Sequence, residues 1–357
     1  VHIGHARLES KREVIVTDEE GEQSKLQGQH IIIATGATSN LIPGVEVDGQ
    51  QVVTYLEAIL QDTLPESAVI IGSGAIGVEF ATIWSAYGVD VTIVEMLPRL
   101  VPLEDREISQ ELERAFRKKK INVLTGHRLE KVHRTEDGVR LTLSHREETT
   151  TLSTEQALVG IGFKPCTEGL GLEDVGVEIS ERGGVLVDER MATNVPGVWA
   201  VGDVTDKLML AHVGSAQGMI CAENMAGKDT QPLDYQYMPR ATYCHPQIAS
   251  FGLTSEQADE AGLDYKTGKF PFQANGKALG LGERQGWIKI IAGAEGGQIL
   301  GAHMIGPEVT ELLPELTLAH REMLSIQTIA ENVHAHPTLS EGLMEAAHDL
   351  LGHAVHI

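Results

Sequence analysis

An apolar strand that runs through a glycine-rich turn into a helix constrains the fold of this chain more than any other feature. Residues 68–71 are apolar and predict a buried strand, and a helical pattern begins a few residues later. The turn and the start of the helix consist of Gly72, Ser73, Gly74, Ala75, Ile76, Gly77, Val78 and Glu79. Gly72 permits the tight turn, Gly74 lets a pyrophosphate approach the backbone, and Gly77 lets the helix pack close to the strand. Because a helix N-terminus attracts phosphate charge, this segment predicts a Rossmann-like domain that binds a dinucleotide.

An acidic residue at the end of the next predicted strand indicates which dinucleotide this domain binds. Residues 89–95 form an apolar-rich strand that ends in Glu95, near the expected offset of about 20 residues from the glycine turn. A carboxylate at that position can bind both hydroxyls of an adenosine ribose, and it repels a 2′-phosphate. No arginine stands immediately beside Glu95, so the sequence favours NAD over NADP. The alternative is a glycine-rich turn that is needed only for packing.

The overall composition excludes several classes of protein. With 357 residues the chain is long enough for two or three domains. Its formal net charge of -23 argues against nucleic-acid and anionic-membrane partners, which would repel it. No apolar run has the length of a membrane span and no secretory signal opens the chain, so we expect a cytoplasmic location. The cysteines Cys166, Cys221 and Cys244 show neither a disulfide framework nor metal-ligand spacing, so no metal site is predicted.

A second chemical signal lies near the C-terminus, where a histidine and a carboxylate flank a proline turn. The segment runs His334-Ala335-His336-Pro337-Thr338-Leu339-Ser340-Glu341. A histidine held by a carboxylate has a fixed tautomer, so His336 paired with Glu341 would accept a proton from a thiol or alcohol near neutral pH. The alternative is structural, with Pro337 ending one segment and Thr338 or Ser340 capping the next helix.

The order of predicted elements indicates the fold class. From about residue 65 the chain alternates strands and helices over about 120 residues, as expected for an α/β unit with a parallel sheet. The last third has strands at 287–293 and 298–304, with helices between 308 and 351. This part predicts an α+β unit with an antiparallel sheet.

Taken together along the chain, these motifs resemble those of the flavoprotein disulfide reductases, which bind two dinucleotides. The residues that carry the resemblance are Ala34-Thr35-Gly36, Gly72 to Glu79, Thr193 to Gly197 leading into Ala200-Val201-Gly202-Asp203, Met209-Leu210-Ala211-His212, and His334 to Glu341. Within the family, the chain is most similar to the members that oxidise dihydrolipoamide. The resemblance implies a Rossmann-like NAD-binding domain inserted in the remainder of a FAD-binding domain, followed by an α+β interface domain. The implied division is 1–64 for the remainder of the FAD-binding domain and a linker, 65–188 for the NAD-binding domain, 189–234 for the second FAD segment, and 235–357 for the interface domain.

The resemblance also implies roles for single residues. Asp203 would hydrogen-bond the ribityl chain of FAD, and the helix that starts at Ala211 would point its N-terminus at the flavin, where it favours the negative charge of the reduced ring. The other residues implied on the FAD side are Thr35, Gly36, Met209, Leu210 and His212. On the NAD side, Glu79 would lie near the nicotinamide ribose, Val132 near the adenine, and Gly162 would let the backbone approach the nicotinamide.

By the same resemblance, His336 deprotonates a dithiol substrate while Glu341 orients its ring. The thiolate then exchanges with a redox disulfide, and the electrons pass through FAD to NAD. The interface domain of the family forms a homodimer, in which the histidine acts on the disulfide of the other subunit. The implied activity is NAD-dependent oxidation of protein-bound dihydrolipoamide. The implied partners are the lipoyl domains of 2-oxoacid dehydrogenase complexes or of the glycine cleavage system.

Two departures from the family pattern shape what we expect. The family has a pair of closely spaced redox cysteines beside a first glycine fingerprint, and this chain contains neither. We therefore expect an N-terminally truncated chain that does not turn over lipoamide by itself. Phe163 and Cys166 stand where many members have an arginine and an asparagine, and the NAD assignment still stands because Gly162 is present.

Two other interpretations remain open. The first is another disulfide reductase with the same dyad, such as a mercuric or glutathione-type reductase. Glu95 argues against the NADP-dependent glutathione type, and the C-terminus lacks the extra cysteines expected of a mercuric reductase. The second is a non-catalytic NAD-binding module that serves assembly. A binding module has no need of both His336 and Glu341.

Overall fold

The computed structural model describes residues 1–356, in which strands and helices alternate along most of the chain. The strands are β1 His5–Ser10, β2 Glu13–Thr17, β3 Gln23–Gln27, β4 Ile31–Ile33, β5 Ala37–Ser39, β6 Val52–Val53, β7 Ser67–Ile71, β8 Asp90–Glu95, β9 Asn122–Thr125, β10 Arg128–Thr135, β11 Gly138–His145, β12 Glu148–Thr154, β13 Gln156–Val159, β14 Phe163–Pro165, β15 Val198–Ala200, β16 Arg240–Thr242, β17 Gln247–Gly252, β18 Tyr265–Pro271, β19 Trp287–Gly293 and β20 Ile299–Gly306. The α-helices are α1 Tyr55–Leu60, α2 Ala75–Ala86, α3 Arg106–Lys118, α4 Leu172–Val175, α5 Ala211–Met225, α6 Ser255–Glu260, α7 Gly276–Leu281, α8 Val309–Arg321, α9 Ile326–Glu331 and α10 Glu341–Leu350. Short 3-10 helices lie at Gly202–Thr205, Tyr235–Tyr237 and Phe272–Ala274.

The chain forms two compact units, each made of two separate stretches of sequence. The first unit comprises residues 1–40 and 163–235, and the second comprises residues 41–162 and those from 236 onward. The four-part division inferred from the sequence remains a prediction.

The first unit is built from small sheets. β1, β2 and β3 form an antiparallel sheet, β4 pairs in parallel with β15, and β5 pairs antiparallel with β14. Leu8, Ile33 and Val198 contribute to one buried core there. The turn at residues 18–21 joins β2 and β3, and β1 pairs with the other edge of β2.

The second unit contains a parallel sheet with the strand order β6-β13-β7-β8-β9. Its central strands are short runs rich in valine and isoleucine, which suits strands that are buried on both faces. Ile70 and Ile93 are fully buried, and Trp84 from α2 and Phe116 from α3 belong to the same core. Because the carboxyl ends of parallel strands meet at one edge, the glycine turn after β7 lies beside Glu95 at the end of β8.

A small antiparallel sheet of β10, β11 and β12 packs beside this parallel sheet. Val139, Leu141 and Leu143 of β11 are buried in one core together with Val94 of β8. β12 carries exposed threonines and shows no apolar alternation, so its sequence does not indicate a strand.

The remaining sheet is antiparallel, with the order β16-β17-β20-β19-β18, and α8, α9 and α10 share its core. A Cβ atom at Gly268 of β18 would lie 2.1 Å from the carbonyl oxygen of Ala346, so this glycine allows α10 to pack directly on the strand. The predicted combination of an α/β part and a later α+β part is therefore confirmed. Among residues 1–356, no helix is both long and apolar enough to cross a membrane.

Candidate functional site

The glycine turn between β7 and α2 has the backbone geometry that a dinucleotide phosphate needs. Gly72 has a φ of +101°, and a Cβ atom there would lie 2.4 Å from the carbonyl oxygen of Gly160. A Cβ atom at Gly77 would lie 2.1 Å from the carbonyl oxygen of Gly72, whereas Gly74 faces open space. No side chain caps α2 and no acidic residue lies in its first turn, so the positive end of the helix is available to phosphate.

The first residues of α2 differ in what they can contact. Ala75 is exposed and Ile76 is half-buried. Val78 is fully buried, and its N–H donates to the carbonyl oxygen of Gly74 at 3.1 Å. The structure therefore places Val78 in the core under the turn, where it supports the helix and has no free group for the predicted contact with NAD.

Glu95 is held by three hydrogen bonds at the end of β8. The N–H and the hydroxyl of Ser73 each donate to Oε2 at 2.8 Å, and the N–H of Leu97 donates to Oε1 at 2.7 Å. A carboxylate has about four acceptor positions, so these bonds leave one of them on Oε1. Glu95 is therefore oriented in advance by these bonds, and its predicted contact with the two ribose hydroxyls stays a prediction.

Glu95 lies in the wall of a cavity of about 520 Å³ within the second unit. The same wall contains the glycine turn and Gly162, whose φ is +98°. It also contains residues that no motif had indicated, namely Met96, Leu97, His127, Arg128 and Leu129. Met96 and Leu97 are 62% and 43% exposed, so they give the cavity an apolar surface that suits a planar base. The one sequence signal for these cavity residues was that they follow closely after the ends of β8 and β9.

Two residues that the resemblance implied on the NAD side lie outside this wall. Val132 packs with the core beside β11, opposite Leu141, while Leu129 on the same strand lines the cavity. Glu79 is half-buried on α2, and its Oε1 accepts a hydrogen bond from the N–H of Tyr243 at 2.7 Å. Burial raises the pKa of Glu79 in spite of that bond. On β10 it is therefore Leu129, and not Val132, that lines the cavity, and the predicted adenine contact of Val132 stays a prediction.

In the first unit, the residues implied on the FAD side follow β4 and β15. The hydroxyl of Thr35 donates to the carbonyl oxygen of Cys166 at 2.6 Å, and the N–H of Cys166 donates to the carbonyl oxygen of Gly36 at 2.9 Å. These two bonds fix the segment that follows β4, and the predicted contact of Thr35 and Gly36 with FAD stays a prediction.

The Gly-Asp turn after β15 is fastened to α5. The N–H of Gly202 donates to Oε1 of Gln217 at 2.6 Å, and Gln217 is fully buried. A Cβ atom at Gly214 of α5 would lie 3.3 Å from Cα of Gly202, so the helix packs directly against the turn. Asp203 is half-buried beside it, and burial raises its pKa. No sequence motif indicates Gln217, because its partner is an N–H group fifteen residues away.

The N-terminus of α5 is open. Ala211 and His212 are exposed, no side chain caps the helix, and no acidic residue lies in its first turn. Met209 and Leu210, just before it, are half-buried, and the carbonyl oxygen of Leu210 accepts the first helical hydrogen bonds. A negatively charged reduced flavin is the kind of ligand that such a helix end stabilises.

The predicted dyad near the C-terminus is formed in the second unit. Nδ1 of His336 lies 2.8 Å from Oε1 of Glu341, the first residue of α10. The N–H of Thr338 donates to Oε2 of Glu341 at 2.8 Å. The side chain of Ser340 makes no capping bond, so the cap that the structural alternative expected from Ser340 is absent.

The charge on Glu341 sets the tautomer of His336. Burial opposes ionisation of Glu341, but hydrogen bonds from Thr338 and His336 and the nearby His334 outweigh it and lower the pKa of Glu341. An ionised carboxylate only accepts, so Nδ1 of His336 must be the donor and Nε2 is left as the basic atom. The His336 side chain is 75% exposed, so Nε2 is accessible to a substrate.

Two polar side chains from elsewhere in the chain bind residues 334–341, which form the dyad segment. Nδ2 of the buried Asn275 donates to the carbonyl oxygen of Thr338 at 3.0 Å. Nε2 of His334 lies 3.1 Å from both carboxylate oxygens of Glu315 on α8. Both pairs are distant in sequence, and neither was predicted.

The cysteines and histidines of residues 1–356 form neither a disulfide nor a metal-ligand cluster. Cys166, Cys221 and Cys244 are unpaired there, and burial raises the pKa of Cys221 and Cys244. No group of three or more histidine, cysteine, aspartate or glutamate side chains in that part of the chain could hold a metal ion.

Comparison with known proteins connects these sites. Residues 4–218 match the family described as Pyridine nucleotide-disulphide oxidoreductase, and residues 238–347 match its dimerisation domain. This chain is a pyridine nucleotide-disulphide oxidoreductase. The predicted family, its fold and its use of FAD and NAD are thereby confirmed. The match to the dimerisation domain supports the expected homodimer.

Several relatives of this oxidoreductase carry a more specific name. The chain is 48% identical to a dihydrolipoyl dehydrogenase of Mycobacterium leprae, over 93% of this chain and 71% of the relative. It is 44% identical to a dihydrolipoyl dehydrogenase of Corynebacterium glutamicum, over 99% of this chain and 76% of the relative.

Solved structures show the same fold. The crystal structure of LpdA from Mycobacterium tuberculosis has a TM-score of 0.90 at 28% identity, and covers 96% of this chain and 76% of that one. The HOCl-induced flavoprotein disulfide reductase RclA from Escherichia coli has a TM-score of 0.88 at 26% identity, with 95% of this chain and 77% of that one covered.

Proposed function

We propose that this oxidoreductase is a dihydrolipoyl dehydrogenase, which oxidises protein-bound dihydrolipoamide and delivers the electrons to NAD. The observation that carries the proposal is the His336–Glu341 pair, with 2.8 Å between Nδ1 and Oε1. The names of relatives at 48% and 44% identity support the same substrate.

The role of the dyad follows from its protonation. With Glu341 ionised and Nδ1 of His336 donating to it, Nε2 takes a proton from a substrate thiol and produces the thiolate that attacks a disulfide. Proton removal leaves a positive imidazolium beside Glu341, which stabilises it. Bound FAD and NAD supply the path by which the electrons leave. Neither Cys166 nor the buried Cys221 and Cys244 has the spacing of a redox pair.

Two groups of residues are proposed to hold the cofactors. For NAD they are Gly72, Ser73, Gly74, Ala75, Ile76, Gly77, Glu95, Leu129 and Gly162, with Glu79 near the nicotinamide ribose. For FAD they are Thr35, Gly36, Asp203, Met209, Leu210, Ala211 and His212. The open ends of α2 and α5 and the room at Gly74 support both assignments.

The proposed partners are the lipoyl domains of 2-oxoacid dehydrogenase complexes or of the glycine cleavage system. In the homodimer, His336 would serve a disulfide of the other subunit, and the cysteine pair that would form it is not among the residues of this chain. The unpaired cysteines are compatible with a reducing compartment, and we propose the cytoplasm as the location.

Another disulfide reductase is the second candidate, because RclA shares the fold. Its identity of 26% is well below the 48% of the mycobacterial dihydrolipoyl dehydrogenase, which favours the lipoamide substrate. The third candidate, a non-catalytic NAD-binding assembly module, is disfavoured because it does not need the His336–Glu341 pair.

The test is a His336→Gln substitution in the protein purified as its gene encodes it. We expect NADH formation from dihydrolipoamide to fall at least about 100-fold, because the general base is lost. NADH oxidation by an artificial acceptor that bypasses the dithiol should stay unchanged. His133→Gln, at an exposed histidine of β10, is the matched control. A change in lipoamide turnover below about threefold would place His336 among structural residues.

A further inference from the structure

Two stacked histidines lie at the edge of the nucleotide cavity. The ring centroids of His127 and His145 are 4.4 Å apart and their planes differ by 17°. His127 lines the cavity, while His145 ends β11 and covers one face of the His127 ring. Both side chains are half-buried. A stacked pair in this place gives the cavity wall a flat aromatic component.

The backbone fixes His127 relative to Glu95. The N–H of His127 donates to the carbonyl oxygen of Glu95, and the N–H of Gly126 donates to that of Leu97, both at 2.9 Å. Because Glu95 and Leu97 also line the cavity, His127 stands at a set position next to the carboxylate that takes the ribose. The adenine is bonded to that ribose, so it must lie within reach of the same wall.

Hydrogen bonds also fix the orientation of both rings. Nδ1 of His127 lies 2.8 Å from the carbonyl oxygen of Thr125, and Nδ1 of His145 lies 2.8 Å from that of Gly126. A carbonyl oxygen only accepts, so each Nδ1 carries the proton. A Cβ atom at residue 126 would lie 3.2 Å from the His145 ring, so Gly126 provides the space in which that ring packs. The stack is therefore formed before any ligand arrives.

We propose that His127 is the adenine contact of the NAD site and that His145 is its positioning residue. The proposal rests on the NAD site described above. The face of His127 that His145 leaves free, together with the apolar Met96, Leu97 and Leu129, offers the adenine an aromatic and apolar wall. His145 acts only through His127, by backing its ring so that little freedom is lost on binding. The pair would thus favour the adenosine half of NAD and be indifferent to the nicotinamide half.

The test measures binding to the purified protein and compares fragments of the dinucleotide. Affinities for NADH, ADP-ribose and reduced nicotinamide mononucleotide are measured by calorimetry for the unchanged chain and for His127→Ala, His127→Phe, His145→Ala and His145→Phe. We expect His127→Ala to weaken NADH and ADP-ribose about tenfold, which is about 1.4 kcal/mol. We expect the mononucleotide affinity to stay the same. His127→Phe should retain most of the ADP-ribose affinity, and His145→Ala should lose about threefold, which His145→Phe restores.

Controls separate this role from a structural one. His133 is an exposed histidine of β10 that does not line the cavity. His133→Ala should therefore leave the affinities for NADH, ADP-ribose and the mononucleotide unchanged. Thermal unfolding of every variant reports any loss of fold. Equal weakening of ADP-ribose and the mononucleotide, or unchanged ADP-ribose binding in His127→Ala, would overturn the adenine contact. If the unchanged chain bound none of the three ligands, both the proposed NAD site and the proposed adenine contact would be wrong.

Discussion

A buried lysine offers a sharp test of what holds the nucleotide-binding part to the interface sheet in the second unit. Nζ of Lys289, on β19, lies 3.0 Å from each oxygen of Asp105 and 2.7 Å from Oε1 of Glu107, both at the start of α3. The side chains of Lys289 and Asp105 are 4% and 1% exposed. We predict that Lys289→Met destabilises the fold, because it leaves the charge of Asp105 buried without its cation.

The size of the loss follows from what remains around Asp105. Breaking a buried ion pair costs about 3–5 kcal/mol. The N–H groups of Glu107 and Ser255 still donate to Asp105, at 3.0 and 3.1 Å. These two bonds place the expected loss near the lower end, at about 3 kcal/mol.

The assay is urea unfolding at neutral pH, followed by far-UV circular dichroism and by tryptophan fluorescence, since Trp287 is buried on the same strand. Lys289→Met combined with Asp105→Asn should recover most of the loss, because the amide keeps the helix cap without the charge. Lys269→Met removes a 39% exposed lysine from the same cluster and should cost less than about 1 kcal/mol. A loss below 1 kcal/mol in Lys289→Met, or a double variant less stable than the single one, would refute the reasoning.

The Lys289–Asp105 pair also makes the loss of stability in Lys289→Met depend on pH. Burial opposes the charge of Asp105, but His303, Lys289 and the N–H of Ser255 outweigh it and lower the pKa of Asp105 to about 2. A folded-state pKa below the ordinary value of 3.8 means that ionised Asp105 stabilises the fold above that value, and that the contribution is lost as the pH falls through about 2. The difference in the free energy of unfolding between the unchanged chain and Lys289→Met should therefore become smaller as the pH falls from about 4 to about 2.

Two further substitutions test the cofactor sites. Gly77→Ala puts a Cβ atom 2.1 Å from the carbonyl oxygen of Gly72, so the turn must shift and NADH affinity should fall at least about tenfold. The control is Gly218→Ala, whose Cβ atom meets nothing within 4 Å. Equal NADH affinities in the two variants would contradict the packing role of Gly77. Gln217→Leu removes the acceptor for the N–H of Gly202, so the purified protein should hold less FAD by visible absorbance, and full flavin occupancy would argue against this anchoring.

Local patterns predicted much of the fold and of the candidate site. The strand before the glycine turn was expected at 68–71 and lies at Ser67–Ile71, and the next strand was expected at 89–95 and lies at Asp90–Glu95. The His336–Glu341 pair could be predicted because a proline turn brings two nearby residues together. Each of these features depends on residues a few positions apart, where sequence spacing determines distance.

The choice between Val132 and Leu129 shows where local patterns stop. Both are apolar residues of β10, and the resemblance alone could not tell which of them faces the cavity. The strand carries a register shift between Leu129 and Lys131, which changes how side chains alternate along it. Sequence spacing gives no sign of such a bulge, so only the structure shows which side of the strand lines the cavity.

Three buried residues that sequence reasoning missed share one property: each binds a polar or charged group that lies far away along the chain. Gln217 binds the Gly-Asp turn, Asn275 binds the dyad segment, and Lys289 binds the start of α3. All three are buried, at 0%, 3% and 3% exposure. A tight turn next to a ligand leaves N–H or C=O groups that its own backbone cannot pair, and a buried unpaired group costs about 1–3 kcal/mol. A remote side chain must therefore supply the partner, and substitutions at these three positions should impair binding, catalysis or stability without removing any ligand contact.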